Sequence, residues 1–150
     1  MKFAAALFVS LLIAQADDMG VLRNLSENKL GVMPGLPPCT TAAVESGDPG
    51  KGASVIVFKA SAGCTIPWHW HTPTEHVMIV SGSAKVEMKG GSNATLGPGG
   101  YALMPSKHVQ QFTCTSACSA FVYSDAAFDI HYQDANGNEI SPETALAKKK

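Results

Sequence analysis

Ten short runs of strand-forming residues, separated by clusters of Gly, Pro, Asn, Asp and Ser, restrict this chain to an antiparallel barrel or sandwich. The runs are Thr40–Glu45, Ala53–Ala60, Thr65–His71, Glu75–Val80, Ala84–Met88, Ala94–Leu96, Tyr101–Pro105, Val109–Thr115, Ser119–Ser124 and Phe128–Tyr132. They combine β-branched, aromatic and alternating apolar residues, which suit a pleated, half-buried surface. Turns are expected at Gly47-Asp48-Pro49-Gly50, Lys89-Gly90-Gly91-Ser92, Gly97-Pro98-Gly99-Gly100 and Asn136-Gly137. Gly supplies positive φ there, and Pro fixes φ while donating no ladder hydrogen bond. A helix start is legible only near the end, with Ser141 as cap and Pro142 at the first helical position.

Residues 1–16 read as a secretory signal peptide: Lys2, an apolar run Phe3–Ile13, then Ala14-Gln15-Ala16 as the cleavage site. The apolar run is well short of the about 20 residues that span a bilayer. The expectation is a secreted or periplasmic chain starting at Asp17. Its arm, 17–38, contains Met33-Pro34-Gly35-Leu36-Pro37-Pro38, which cannot form a regular helix or interior strand and is expected to lie over the domain. A single barrel follows over 39–132, and 133–150 form a tail. Without Lys2 there remain ten Lys and Arg against twelve Asp and Glu, a net charge of −2. That balance excludes a nucleic-acid surface, and Lys148–Lys150 read as a solvated tail. Nor does a second apolar stretch of membrane length occur.

All four cysteines, Cys39, Cys64, Cys114 and Cys118, fall after the signal peptide, and an even count in an exported chain favours disulfides. Three pairings exist. Cys114 and Cys118 are expected to face each other across a hairpin with a three-residue loop, which leaves Cys39 with Cys64.

The segment Gly63–Gly82, GCTIPWHWHTPTEHVMIVSG, carries the chemistry. Residues i and i+2 share one face of a strand, so His69 and His71 can meet one ion only in an extended segment, with Trp68 and Trp70 on the other face. Glu75 would lie about 13 Å further along a continued strand. Thr72-Pro73-Thr74 is therefore expected to reverse the chain as a hairpin and return Glu75 to the histidines.

The spacing of Gly63, His69, His71, Glu75 and Gly82 resembles the first motif of the cupin superfamily at every defined position. The second motif is looser: Gly99 and Pro105 match, Lys107 stands where the family has glycine, and the family's ligand position falls on Gln110. His108 arrives two residues early on the same expected strand face. It is expected as the fourth ligand, with Gln110 just beyond it. Phe112 replaces the usual asparagine that would orient the imidazole.

The resemblance implies an all-β jelly-roll barrel over residues 39–132, holding one divalent transition metal ion on His69, His71, Glu75 and His108. The ligand set admits Mn, Fe, Ni, Cu or Zn, and an octahedral ion would keep two positions free. Because ligation needs neutral imidazole, the site is expected to empty below about pH 6. His76 is expected to face away from the site. His131 is expected to be structural, with a reserve place as ligand should His108 point outward. Glu87 and Lys85 share a solvent face. Gln110, Tyr101 and Tyr123 are the expected polar neighbours of the ion, and Phe58, Val77, Ile79, Leu103 and Phe112 the walls of an apolar pocket. No second carboxylate is expected inside, which disfavours decarboxylation or isomerisation. The expected function is that of a metal-dependent, dioxygenase-like oxidoreductase acting on a small organic molecule bound to the metal. The alternative is a non-catalytic small-molecule or metal-binding cupin, and a homodimer is an expectation in either case.

Overall fold

A computed structural model describes residues 20–147; the signal peptide expected at 1–16, the start at Asp17 and Lys148–Lys150 lie outside the described residues. The strands are β1 (Thr40–Gly47), β2 (Ser54–Ala60), β3 (Thr65–Trp70), β4 (Glu75–Ser81), β5 (Ala84–Met88), β6 (Asn93–Leu96), β7 (Tyr101–Met104), β8 (Gln110–Cys114), β9 (Cys118–Ser124), β10 (His131–Gln133) and β11 (Glu139–Ile140). A short helix α1 (Pro142–Leu146) closes the chain, with the Ser141 side chain accepting from the Thr144 amide. Nine expected runs appear within two residues of their bounds. The tenth is extended only from His131, because Phe128 and Asp129 are drawn away by contacts described below.

All pairings are antiparallel and form two facing sheets, a five-stranded one in the order β1-β2-β9-β4-β7 and a six-stranded one in the order β11-β10-β3-β8-β5-β6. Phe58, Val77, Ile79 and Ala120 from the first sheet meet Val86, Phe112 and Cys114 from the second, with Phe58 edge-on to Phe112 at 5.8 Å. These are alternate residues of each strand, as a two-layer jelly roll requires. The architecture is the all-β, antiparallel jelly roll expected.

Two local expectations change. β3 and β4 are not a hairpin: they belong to opposite sheets, so Thr72-Pro73-Thr74 crosses the interior gap. β8 and β9 also lie in opposite sheets, so Cys114–Cys118 clamps a crossing between layers rather than a ladder. Both disulfides stand at one end of the barrel, where the Cys114 amide donates to Cys64 O at 2.9 Å and Gly63 N donates to Cys114 O at 2.8 Å. Period-2 alternation is blind to which sheet each strand joins.

The arm binds through a few fixed points. Arg23 reaches Val44 O and Glu45, Gly31 exchanges backbone hydrogen bonds with Ala42, and Tyr132 OH donates to Gly35 O at 2.8 Å. Leu36 thereby turns inward over the seam between the two sheets. It is the apolar residue amid Gly and Pro that cannot form a ladder, so burial is what holds it.

The disulfides close loops of unequal length, with sequence separations of 25 and 4. On the chain-entropy model, replacing Cys39 and Cys64 together by Ser costs about 3–4 kcal/mol and the Cys114, Cys118 pair about 2 kcal/mol. Denaturant unfolding of metal-free protein measures both; equal losses would contradict the loop-length account.

Candidate metal centre

At the end of the barrel opposite the disulfides, β3, β4 and β8 deliver four polar side chains into an apolar interior. His69, His71, Glu75 and Gln110 are all at most 5% exposed. β3 carries a bulge: Ile66 pairs with Phe112 and His69 with Gln110, so one extra residue is inserted at Pro67-Trp68. Pro tolerates this position because the ladder is already broken there. The bulge brings Ile66 and His69, three residues apart, onto the same inner wall.

Both histidines are locked in one tautomer. His69 Nδ1 donates to Pro67 O at 2.6 Å, and His71 Nδ1 donates to Asp129 O. Nε2 of each ring is thereby left as the nitrogen free of a backbone partner. The rings stand edge to face at 4.8 Å. Burial, reinforced by the neighbouring His71, lowers the pKa of His69 from its ordinary value to about 3, so this imidazole is neutral at any working pH.

Glu75 begins β4 on the facing sheet. Its Oε1 accepts from Ser124 Oγ at 3.2 Å, and its Oε2 lies 3.2 Å from His71 Nε2. Those last two atoms are both acceptors when the imidazole is neutral and the carboxyl ionised, so the gap demands a proton or a cation. Burial pushes the Glu75 carboxyl up, against the opposing pull of His71 and the Ser124 hydrogen bond. The spacing also matches the about 3 Å edge of an octahedron with metal bonds of about 2.1 Å. Gln110 adds a second demand, since its Oε1 is buried with no hydrogen-bond partner. By donor type the residues suit a divalent metal ion. Among the described residues, no group of three or more His, Cys, Asp or Glu side chains is arranged to hold a metal ion.

The crossover holding these groups is itself clamped. Asp129 Oδ1 accepts from the Thr72 amide at 2.7 Å and Asp125 Oδ1 from the Thr74 amide at 2.9 Å. Ser106 Oγ donates to Thr72 O at 2.6 Å, and the Lys107 amide to His71 O at 2.7 Å. Burial would raise the Asp129 carboxyl, but hydrogen bonds from Thr72 and His131 outweigh it and hold the carboxyl below its ordinary range. Phe128 packs on the His71 ring at 5.1 Å. Asp125, Phe128 and Asp129 were not legible as site residues, because only the tertiary fold brings loop 125–130 against residue 72.

The structure brings His69, His71 and Glu75 together, pairs Gln110 with His69 across the ladder, and places His108 in the turn before β8. Pro105–His108 is a turn, closed by the His108 amide on Pro105 O at 3.0 Å, with Lys107 in the left-handed region at φ 59°. Strand alternation therefore cannot be extended back from Gln110 to 108. His108 Nε2 lies by the β5–β6 turn, 3.8 Å from where a Gly91 Cβ would stand, and has no hydrogen-bond partner. The reserve candidate, His131, also faces outward. Its ring stacks on Trp70 at 3.9 Å and its Nδ1 bonds Glu139 at 2.7 Å.

Tyr101 and Tyr123 are not neighbours of the site. They lie on the outer face of the five-stranded sheet around His76, whose Nδ1 is 2.7 Å from the Tyr101 hydroxyl. Because Glu75 pairs with Ser124, the inward phase of β9 is Val122 and Ser124, which puts Tyr123 outside. Leu103 is exposed as well, and Ile79 is buried deeper in the core. Phe58, Val77 and Phe112 do wall the cavity, joined by Leu36, Met104 and Phe128. Lys85 and Glu87 pair on the solvent side at 2.7 Å, as their alternation implied. The cavity holds only about 50 Å³. That is room for a few waters and well under the about 300 Å³ at which drug-sized ligands begin to fit.

A model of the EutQ-like cupin domain matches residues 48–123. Among solved structures, the chain is similar to the polyketide cyclase RemF of Streptomyces resistomycificus, with a TM-score of 0.64 and 18% identity over 75% of this chain and 84% of that one. An RmlC-like cupin from Shewanella frigidimarina gives a TM-score of 0.59 and 11% identity over 73% and 92%. Salicylate 1,2-dioxygenase from Pseudoaminobacter salicylatoxidans gives 0.53 and 18% over 59% and 25%. At these identities the likeness carries the fold. A search of curated protein sequences found no match.

His69 also sets a pH dependence in the metal-free chain. Its folded pKa is below the unfolded value, so its contribution to stability is complete above about pH 6.5 and is lost as the pH falls toward about 3, by at most about 1.4 kcal/mol per unit. Urea unfolding at stepped pH reads this slope. His69→Gln should flatten it between roughly pH 6.5 and 4; an unchanged slope would contradict the burial assigned to this ring.

Proposed function

This chain belongs to the EutQ-like cupin family, and from that premise we propose that it is an exported cupin binding one divalent transition metal ion through His69, His71 and Glu75, with the Gln110 amide oxygen in the fourth place. The single observation that carries this reading is the buried pair of acceptors, His71 Nε2 and Glu75 Oε2, 3.2 Å apart. In the metal-free chain a proton on the Glu75 carboxyl, whose pKa burial raises, bridges this gap, and a divalent ion would displace it. His108 is not part of the set. Export is supported by the two disulfides, which form and persist in oxidising compartments, and by the apolar leader sequence at 1–16.

Two imidazoles and one carboxylate on one side of an ion, with open positions opposite, is the arrangement typical of non-haem Fe(II) oxygenases. Such an ion supplies a Lewis acid and an electron source for dioxygen. The chain's own residues orient both imidazoles through their Nδ1 atoms, hold the Glu75 carboxyl out of water and line the approach with Phe58, Phe112 and Phe128. A dioxygenase-like oxidoreductase acting on a small molecule is the activity this chemistry suits. The non-catalytic reading is favoured by the volume of about 50 Å³, which admits dioxygen or water but no aromatic substrate unless Leu36 and the arm move. Native Fe turning over dioxygen with a small organic co-substrate supports the first; a bound metal indifferent to oxygen supports the second.

Elemental mass spectrometry on the exported protein tests the ligand set. His71→Ala and Glu75→Ala should bind less than about a tenth of the wild-type metal, Gln110→Ala should weaken binding by about tenfold, and His108→Ala should leave it unchanged. Metal uptake near neutral pH should also release about one proton per chain, read in weakly buffered solution with an indicator dye. Full occupancy in His71→Ala, or loss in His108→Ala, would overturn the assignment.

A further inference from the structure

A second concave site lies on the outer face of the six-stranded sheet, on the opposite side of β3 from the metal centre. It is a groove of about 670 Å³, more than ten times the volume of the inner cavity and within the range of small-molecule sites. Its floor follows from the same register that builds the metal centre. Tyr132 pairs with His69, and His69 with Gln110, all facing inward. The adjacent residues Gln133, Trp68 and Gln111 therefore stand side by side across three strands facing outward, and all three line the groove. Lys89 borders one side, and Ile140 with Thr144 of α1 the other.

The charged neighbours on this face are already engaged. Lys85 pairs with Glu87 at 2.7 Å and His131 with Glu139 at 2.7 Å. The Asp134 carboxylate accepts from the amides of Asn136 and Asn138 in its own turn. The Gln111 and Gln133 amides make no such bond among the described residues. Each offers two N–H donors and one carbonyl acceptor. The free chemistry of the groove is thus an indole flanked on both sides by unpaired amides, with one ammonium at the edge.

We propose that this groove binds a saccharide. A pyranose ring presents an apolar face of C–H groups, which suits the half-buried indole of Trp68. Its rim of equatorial hydroxyls, each both donor and acceptor, suits amides placed to either side. A purely apolar ligand would leave both amides unpaired, at a desolvation cost. A nucleic acid would need far more positive charge than one Lys89 in a chain of net charge −2. The groove does not depend on the metal: the two sites share β3 and β8 but use opposite faces.

The test is a panel of hexose, pentose and uronate hexasaccharides presented to the exported protein, followed by titration of any binder against intrinsic tryptophan fluorescence. At least one sugar class should bind and perturb the fluorescence. Trp68→Ala should weaken that binding by about tenfold or more, whereas Trp70→Phe should leave it intact, since Trp70 is stacked on His131. Should Trp68→Ala fail to fold, the Gln111→Ala, Gln133→Ala double variant carries the same expectation. His71→Ala should bind the sugar normally, which separates this site from the metal reading. Absence of binding across the panel by folded protein would overturn the proposal, and so would binding that survives both the Trp68 and the double-glutamine variants.

Discussion

A buried imidazole nitrogen and a buried carboxyl oxygen 3.2 Å apart inside an apolar barrel need a proton or a cation between them, and much of this structure holds His71 Nε2 and Glu75 Oε2 in that position. The imidazole is fixed because its other nitrogen donates to Asp129 O, and the carboxylate because Ser124 reaches it from the neighbouring strand. The short crossover between them is held at Thr72 and Thr74 by Asp129 and Asp125, and at Thr72 O by Ser106. A hairpin could not serve. Placing β3 and β4 in opposite sheets makes the two side chains face each other across the core instead of lying side by side on one surface.

That geometry divides the barrel into two ends. At one, the disulfides join the layers through Cys39–Cys64 and Cys114–Cys118, and three of these cysteines are part of the apolar core. At the other, four polar side chains are buried at once, which is unfavourable for folding in the absence of an ion. The covalent clamps therefore stand where they can offset that cost without touching the site. The arm contributes a further closure. Leu36 is drawn over the cavity by Gly31 on β1 and Gly35 on Tyr132, which leaves little volume beside His71 and Glu75.

Most of the strand plan was legible from alternation and turn residues, because both are local. The motif from Gly63 to Gly82 also identified His69, His71 and Glu75 as residues that should meet, and they do come together. What failed was inference that extended a strand beyond its end or assumed sheet membership. Counting back from Gln110 points His108 inward, but Lys107 adopts φ 59° and a turn ends the periodicity there. The face of Tyr123 is set by Glu75 pairing with Ser124, a contact between residues 49 apart that alternation does not see. Asp125 and Asp129 carry no local signal at all. Leu36 does carry one: an apolar residue between Gly35 and Pro37 gains nothing from exposure and is ordered by burial.

The ligand set is tested most directly by X-ray absorption on the protein loaded with Co(II) or Fe(II), since outer-shell scattering from imidazole rings counts the histidines bound to the ion. The account predicts two imidazoles with the remaining close neighbours oxygen. Three imidazoles would return His108 or His131 to the site, and none would remove the metal from this barrel.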